Sequence, residues 1–154
     1  MADVVEAWRI CKAKHAGTAF SGGGAAIAGG RWNSRGVRVV YTSASQSLAL
    51  LENLVHVNPA VTFHLVAFRL KIPVDMILDI EMGQLPPNWR DSPPPMTVQK
   101  IGDVWANSSR SAVLGLPSVI VPGERNYLLN PGHPDFRHIT VDGPVDFPVD
   151  PRLI

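Results

Sequence analysis

The chain has 154 residues, 45% of them apolar and 18% charged, with a net charge of +1 and a single cysteine, Cys11. That size makes one domain able to bury roughly 70% of its unfolded surface, and the composition excludes a disordered chain. A lone cysteine excludes an internal disulfide and a cysteine-based zinc cluster, and the charge balance, without a basic stripe, argues against nucleic-acid binding.

In chain order, MADVVEAWRI lacks a charged start followed by an apolar run, and no apolar stretch is long enough to span a bilayer, so a cytoplasmic protein is expected. AWRICKAKH (7–15) reads as a first strand or a strand with a turn. SGGGAAIAGG (21–30) holds five of the thirteen glycines, which lets backbone turn through positive φ or approach a neighbour closely. It lacks a phosphate-loop ending and does not open a strand-then-helix nucleotide motif; a turned or flexible segment and a backbone wall beside a ligand both stay open. Val37 to Thr42 is β-branched and strand-like. Ser43 with Gln46 resembles a capping box, and Leu48, Leu51 and Val55 lie on one helical stripe running to Val57. Glu52 borders that stripe, about 40° from Leu48.

FHLVAFRLKIP (63–73) is apolar on both faces, Phe63, Leu65 and Ala67 on one and His64, Val66, Phe68 and Leu70 on the other, and is expected inside a sheet. DMILDI (75–80) is a shorter strand. LPPNWRDSPPP (85–95) carries five prolines and reads as an ordered surface loop. A helix follows near Thr97 to Ser109, with Val98, Ile101, Val104 and Trp105 at helical spacing. SAVLGLPSVIVP (111–122) is a buried strand, NYLLNPGHPDF (126–136) a long loop, and HITVDGPVDF (138–147) a hairpin over Asp142-Gly143. Strands in runs without βαβ alternation predict an α+β fold with a mixed or antiparallel sheet in a single domain, 1–154.

Histidines 15, 56, 64, 133 and 138 show no metal spacing, so no metal site is expected; His133 reads as a loop-fixing residue. Ser118 lacks the flanks of a nucleophile elbow and alone reads as a strand serine satisfied by backbone. Arg31, between glycines and Trp32, could meet phosphate oxygens or stack on the tryptophan. Tyr41 could be core or a platform for a ring, and Glu52 a solvated helix residue or part of a site. Together, one or two arginines, an aromatic and a single carboxylate suit the nicotinamide–ribose bond of NAD. Its leaving group is already a cation and needs no general acid, whereas ordinary glycosides usually need two carboxyl groups.

GGRWN (29–33), VVYTS (39–43), SLALLENLVH (47–56), IGDVW (101–105), LPSVIVP (116–122) and NYLLNPGHPDF (126–136) resemble, in order, the RES domain family of bacterial toxins, from about Trp8 to Arg152. The resemblance implies that the family's named arginine, glutamate and serine are Arg31, Glu52 and Ser118, with Arg9 and Tyr41 at further pocket positions. It implies a fold like the ADP-ribosyltransferase toxins, a split β core flanked by helices around an NAD cleft. It also implies an NAD-consuming activity by hydrolysis or phosphorolysis, with NAD as substrate and no cofactor; some members instead attach ADP-ribose to a protein. The expected sites are then catalytic Glu52, Arg31 and Tyr41, with Arg9, Arg31, Tyr41 and Ser118 binding NAD. The implied partner is an antitoxin with an Xre-type helix-turn-helix domain whose C-terminal segment blocks the pocket, and a homodimer within that complex is left open. A binding module without catalysis is the remaining alternative. The GGG and PPP runs are richer in glycine and proline than the family pattern requires.

Overall fold

The computed structural model describes residues 3–56 and 64–153; Val57 and Phe63, both used in the sequence expectations, lie outside them. Seven strands form one sheet: β1 (Val4–Lys12), β2 (Val40–Ser43), β3 (Leu65–Pro73), β4 (Ile77–Asp79), β5 (Val113–Pro117), β6 (Arg125–Leu129) and β7 (Thr140–Phe147), in the order β4-β5-β6-β2-β1-β3-β7. The β4–β5 pair is parallel and the others antiparallel, as the expected mixed sheet requires. Among the described residues three α-helices flank it: α1 (Gly23–Ala28), α2 (Gln46–Leu54) and α3 (Met96–Ser108). Among the described residues no helix is long and apolar enough to cross a membrane.

The sheet is nearly two sheets. β1 and β3 pair along nine residues, from Val4↔Pro73 to Lys12↔Leu65, and β2 and β6 pair along four. Between these halves β1 and β2 share one registered pair, Trp8↔Ser43. This is the split core that the family resemblance implies. Where the two strands diverge, backbone acceptors still need donors. Side chains supply them: Arg9 Nη1 donates to the Tyr41 carbonyl at 3.0 Å, and Asn53 Nδ2, from α2, donates to the Ile10 carbonyl at 2.9 Å.

Strand alternation distributes the core. Ala7, Cys11, Val66, Phe68, Leu70, Ile72, Val113 and Leu129 face one side. On the other, α2 packs through Ala49 against Ile10, Leu65 and Ala67, while α3 packs through Val98 and Trp105 with Trp32, Trp89, Leu114 and Leu128. β3 is apolar on both faces because it is paired on both edges and covered on both sides over most of its length.

Several local expectations are corrected. The α2 cap is Ser45, whose side chain accepts from Leu48 N, rather than Ser43. Consequently the inward residues are Leu48 and Ala49, while Leu51 and Val55 are 38% and 59% exposed. In α3, the inward face is Val98, Gly102 and Trp105, and Val104 is exposed. Asn126 to Leu129 are not loop but part of β6, buried between β5 and β2. The segment over Asp142-Gly143 is not a hairpin but one edge strand, β7. Its two halves both pair with the long β3, Asp142 opposite Arg69 and Val145 opposite Ala67, so Gly143 and Pro144 bulge opposite Phe68. Gly143, at φ 122°, takes a backbone conformation closed to most side chains, and Pro144 lacks a donor that an edge strand does not need.

Gly102 sets how closely α3 approaches the glycine-flanked segment before β2. A Cβ there would lie 1.7 Å from the Trp32 carbonyl oxygen. Gly102→Ala is therefore expected to lower the melting temperature by at least about 6 °C, corresponding to roughly 3 kcal/mol of overpacking. An unchanged thermal melt would contradict this packing.

Candidate active site

Residues 29–34 form a loop held from three directions. Its central knot is Asn33, fully buried, whose amide donates to the Ala25 and Val37 carbonyls at 2.9 and 3.1 Å. Tyr41, from β2, donates its hydroxyl to Asn33 Oδ1 at 2.6 Å and accepts from Trp32 N at 3.0 Å. From α3, Asp103 accepts from Ser34 N and Oγ at 2.8 and 2.5 Å, and Gln99 donates to the Gly30 carbonyl at 2.9 Å. Gly30 is required here, since a Cβ would sit 2.5 Å from the Tyr41 hydroxyl. The glycine run therefore serves a close approach of backbone to a side chain, and its middle forms α1.

This knot aims Arg31. One guanidinium nitrogen, Nη1, donates to the carbonyls of Trp89 and Asp91 at 2.9 and 2.8 Å, in the proline-rich loop. The arginines that lie over tryptophan rings are Arg90, 5.0 Å from the Trp89 ring centre, and Arg69, 5.9 Å from that of Trp8. Trp89 itself is buried against Trp32, with ring centres 6.3 Å apart, so the loop is anchored rather than peripheral. Burial lowers the Arg31 pKa, while the charges of Glu52, Tyr41 and Asp91 act in the other direction.

Glu52 faces the same region from α2. Burial raises its pKa above the usual carboxylate value, opposed by hydrogen bonding from Asn126, the nearby His56, the Ser118 hydroxyl and the Arg31 charge, in that order. Ser118, just past β5 and buried, donates toward Glu52 Oε1 at 3.5 Å. Its oxygen also accepts from Ile120 N and Val121 N, both at 3.1 Å. The backbone satisfaction read from sequence and a contact with the glutamate thus coexist. Tyr41 lies in electrostatic range of Arg31, which favours its ionised form, and of Glu52, which opposes it, yet its hydroxyl is committed to the loop, and burial pushes its pKa well above the ordinary tyrosine value.

Arg31, Tyr41, Glu52 and Ser118, read from distant segments, converge. Arg9 joins them less directly: Trp8 and Ile10 point toward α2, while Arg9 sits in the split with one nitrogen on the Tyr41 carbonyl. Its Nε is buried without a partner, and burial lowers its pKa. His133 fixes its loop as expected, accepting from Asp135 N at 3.0 Å and bonding the Ser109 carbonyl at 3.0 Å. Sequence reasoning missed Asn33, whose partners are nearby in the chain, and Gln99, Asp103 and Asn126, whose partners are far away along it. Two surface hollows, about 430 Å³ beside Arg38 and Asn130 and about 390 Å³ along α3, lie away from Glu52. Among the described residues no group of three or more histidine, cysteine or acidic side chains could hold a metal.

Residues 6–150 match the model of the RES domain family. The chain is 38% identical over 148 residues to Toxin Res of Yersinia enterocolitica, covering 95% of this chain and 97% of that protein. It is 40% identical over 139 residues to the Prs ADP-ribosylating toxin of Sphingobium sp., covering 88% and 86%. A chain in the crystal structure of the M. tuberculosis MbcT-MbcA toxin–antitoxin complex superimposes with a TM-score of 0.77 at 16% identity, covering 99% of this chain and 88% of that one. That last likeness shows the fold.

Because burial raises the folded-state pKa of Glu52, its protonated form is the one that folding favours. The stabilisation is complete below the unfolded value and is lost as pH rises through the folded one. Glu52→Gln, neutral throughout, is therefore expected to match the parent's melting temperature near pH 4 and exceed it at pH 7 to 8. An advantage that instead grew toward acid pH would contradict the burial of this carboxylate.

Proposed function

We propose that this chain, which belongs to the RES domain family, is the toxin of a toxin–antitoxin pair and acts by cleaving the nicotinamide–ribose bond of NAD. Curated relatives named as toxins at 37–40% identity over most of the chain support the toxin role. The observation that carries the chemistry is Glu52: one half-buried carboxylate with an arginine in electrostatic range, the Ser118 hydroxyl at 3.5 Å and the Asn126 amide favouring its ionised form. A single carboxylate so placed can stabilise a cation that develops beside it.

In this reaction the C–N bond breaks with its electron pair moving onto the nicotinamide, which departs neutral without a proton donor. Positive charge grows on the ribose, and Glu52 stabilises it. Water or phosphate then bonds to the ribose carbon and releases its proton. Arg31 binds the pyrophosphate; its Nη1 is spoken for by the two loop carbonyls, leaving the rest of its fork for the ligand. Arg9, whose buried Nε has no hydrogen-bond partner among the described residues, supplies a second cation at the split. Tyr41 presents its ring beside the nicotinamide or its ribose, and Ser118 orients Glu52. The partner is an antitoxin of the Xre helix-turn-helix class that covers the pocket, and the setting is the cytoplasm. A net charge of +1 offers no electrostatic footprint for nucleic acid.

A transferase that attaches ADP-ribose to a protein would use the same groups, and the likeness to the ADP-ribosylating toxin of Sphingobium favours it as the second reading. Labelled NAD, incubated with antitoxin-free protein with and without phosphate, separates the outcomes. Free ADP-ribose or its phosphorylated form is expected; label in a protein band would favour transfer, and intact NAD would leave only a binding module. Glu52→Gln is expected to keep the fold and lower turnover by about a hundredfold or more. Arg31→Ala is expected to weaken NAD binding, measured by titration, by roughly 1.5–3 kcal/mol.

A further inference from the structure

Asn126 stands directly across the β2–β6 ladder from Ser43, and both are buried. The Ser43 hydroxyl donates to Asn126 Oδ1 at 2.7 Å. With that oxygen engaged, the NH2 end of the amide is left to donate toward the Glu52 carboxylate, whose ionised form Asn126 favours. The reverse amide orientation would turn an acceptor toward a carboxylate that has only acceptors when ionised. Ser43 also lies two residues before the Ser45 cap of α2, so the end of β2, the start of β6 and the helix bearing Glu52 are fixed as one unit. The Ala44 N–H bonding the Arg125 carbonyl at 3.0 Å closes it.

We propose that Asn126 is a positioning residue for Glu52, its amide turned by Ser43 so that Nδ2 donates to the carboxylate beside the Ser118 hydroxyl. This rests on Glu52 being the reactive carboxylate of the proposed function. Four other groups face that carboxylate: Arg31 from the loop before β2, Tyr41 from β2, Ser118 after β5, and His56 just past the end of α2. Among the influences that favour the ionised form, Asn126 is the largest. It keeps the carboxylate charged and aimed, while Arg31 remains available to a ligand.

Asn126→Asp is isosteric: one oxygen still accepts from Ser43, and the other sets a negative charge against Glu52. Titration of the Glu52 carboxyl carbon, followed by carbon-13 NMR in glutamate-labelled protein, reads the effect without NAD. The midpoint is expected to rise by about one pH unit or more in Asn126→Asp, and to rise by less in Ser43→Ala, where the amide loses its guide. The acid limb of NAD consumption should move upward in parallel with KM unchanged. A folded Asn126→Asp protein with the parent midpoint would overturn the assignment, and if that variant fails to fold, an unchanged midpoint in Ser43→Ala does so. A parent protein that leaves NAD intact while Glu52 titrates as expected would instead sink the reaction and spare the positioning.

Discussion

A single registered pair, Trp8↔Ser43, joins the two halves of the sheet, and the chemistry depends on what happens beside it. Strands that simply continued to pair would consume their own backbone groups. Here they part, and Arg9 and Asn53 bond the carbonyls of Tyr41 and Ile10 across the opening. An unmet buried carbonyl costs about 1–3 kcal/mol, so an open split needs such side chains. It can also persist as a stable feature, because the polar groups exposed by parting are bonded.

From that opening follows the arrangement of the site. β2 ends at Ser43 and turns at once into α2, which carries Glu52 back over the sheet. Tyr41, two residues before the turn, ties down the segment bearing Arg31 through Asn33 and Trp32, and α3 holds that segment from behind through Gln99 and Asp103. The proposed reactive groups therefore hang on rigid elements, as a site that stabilises developing charge requires. Arg31 has a dual position, since the carbonyls of Trp89 and Asp91 fix it while Glu52 draws it electrostatically. The chain belongs to the RES domain family and is similar to the Prs ADP-ribosylating toxin of Sphingobium and to Toxin Res of Yersinia enterocolitica.

What could be read from the sequence was the part governed by local pattern. The strand ending at Ser43, the helix carrying Glu52 and the two-faced strand Leu65–Pro73 follow from periodicity, and six ordered blocks carried the family. Misreadings arose where distant packing overrode local signals. Ser45 caps α2 although Ser43 makes the better capping box, because Ser43 is taken by Asn126 across the sheet. Proline and glycine at 131–132 drew Asn126 to Leu129 into a loop, whereas those residues are buried on both faces and so lack alternation. Trp89 sits amid prolines yet is 6% exposed, because Trp32 and α3 need it. Asp103 and Asn126 gave no signal, since a polar residue's partner cannot be inferred when it lies 69 or 83 positions away.

The central claim is that Glu52 and Arg31 hold one dinucleotide between them. A crystal structure of the Glu52→Gln protein with NAD, freed of any partner, tests this most directly. The expected result places the nicotinamide ribose against residue 52 and the pyrophosphate on the Arg31 guanidinium. NAD seated in either hollow away from this site, with Arg31 touching only the carbonyls of Trp89 and Asp91, would contradict it.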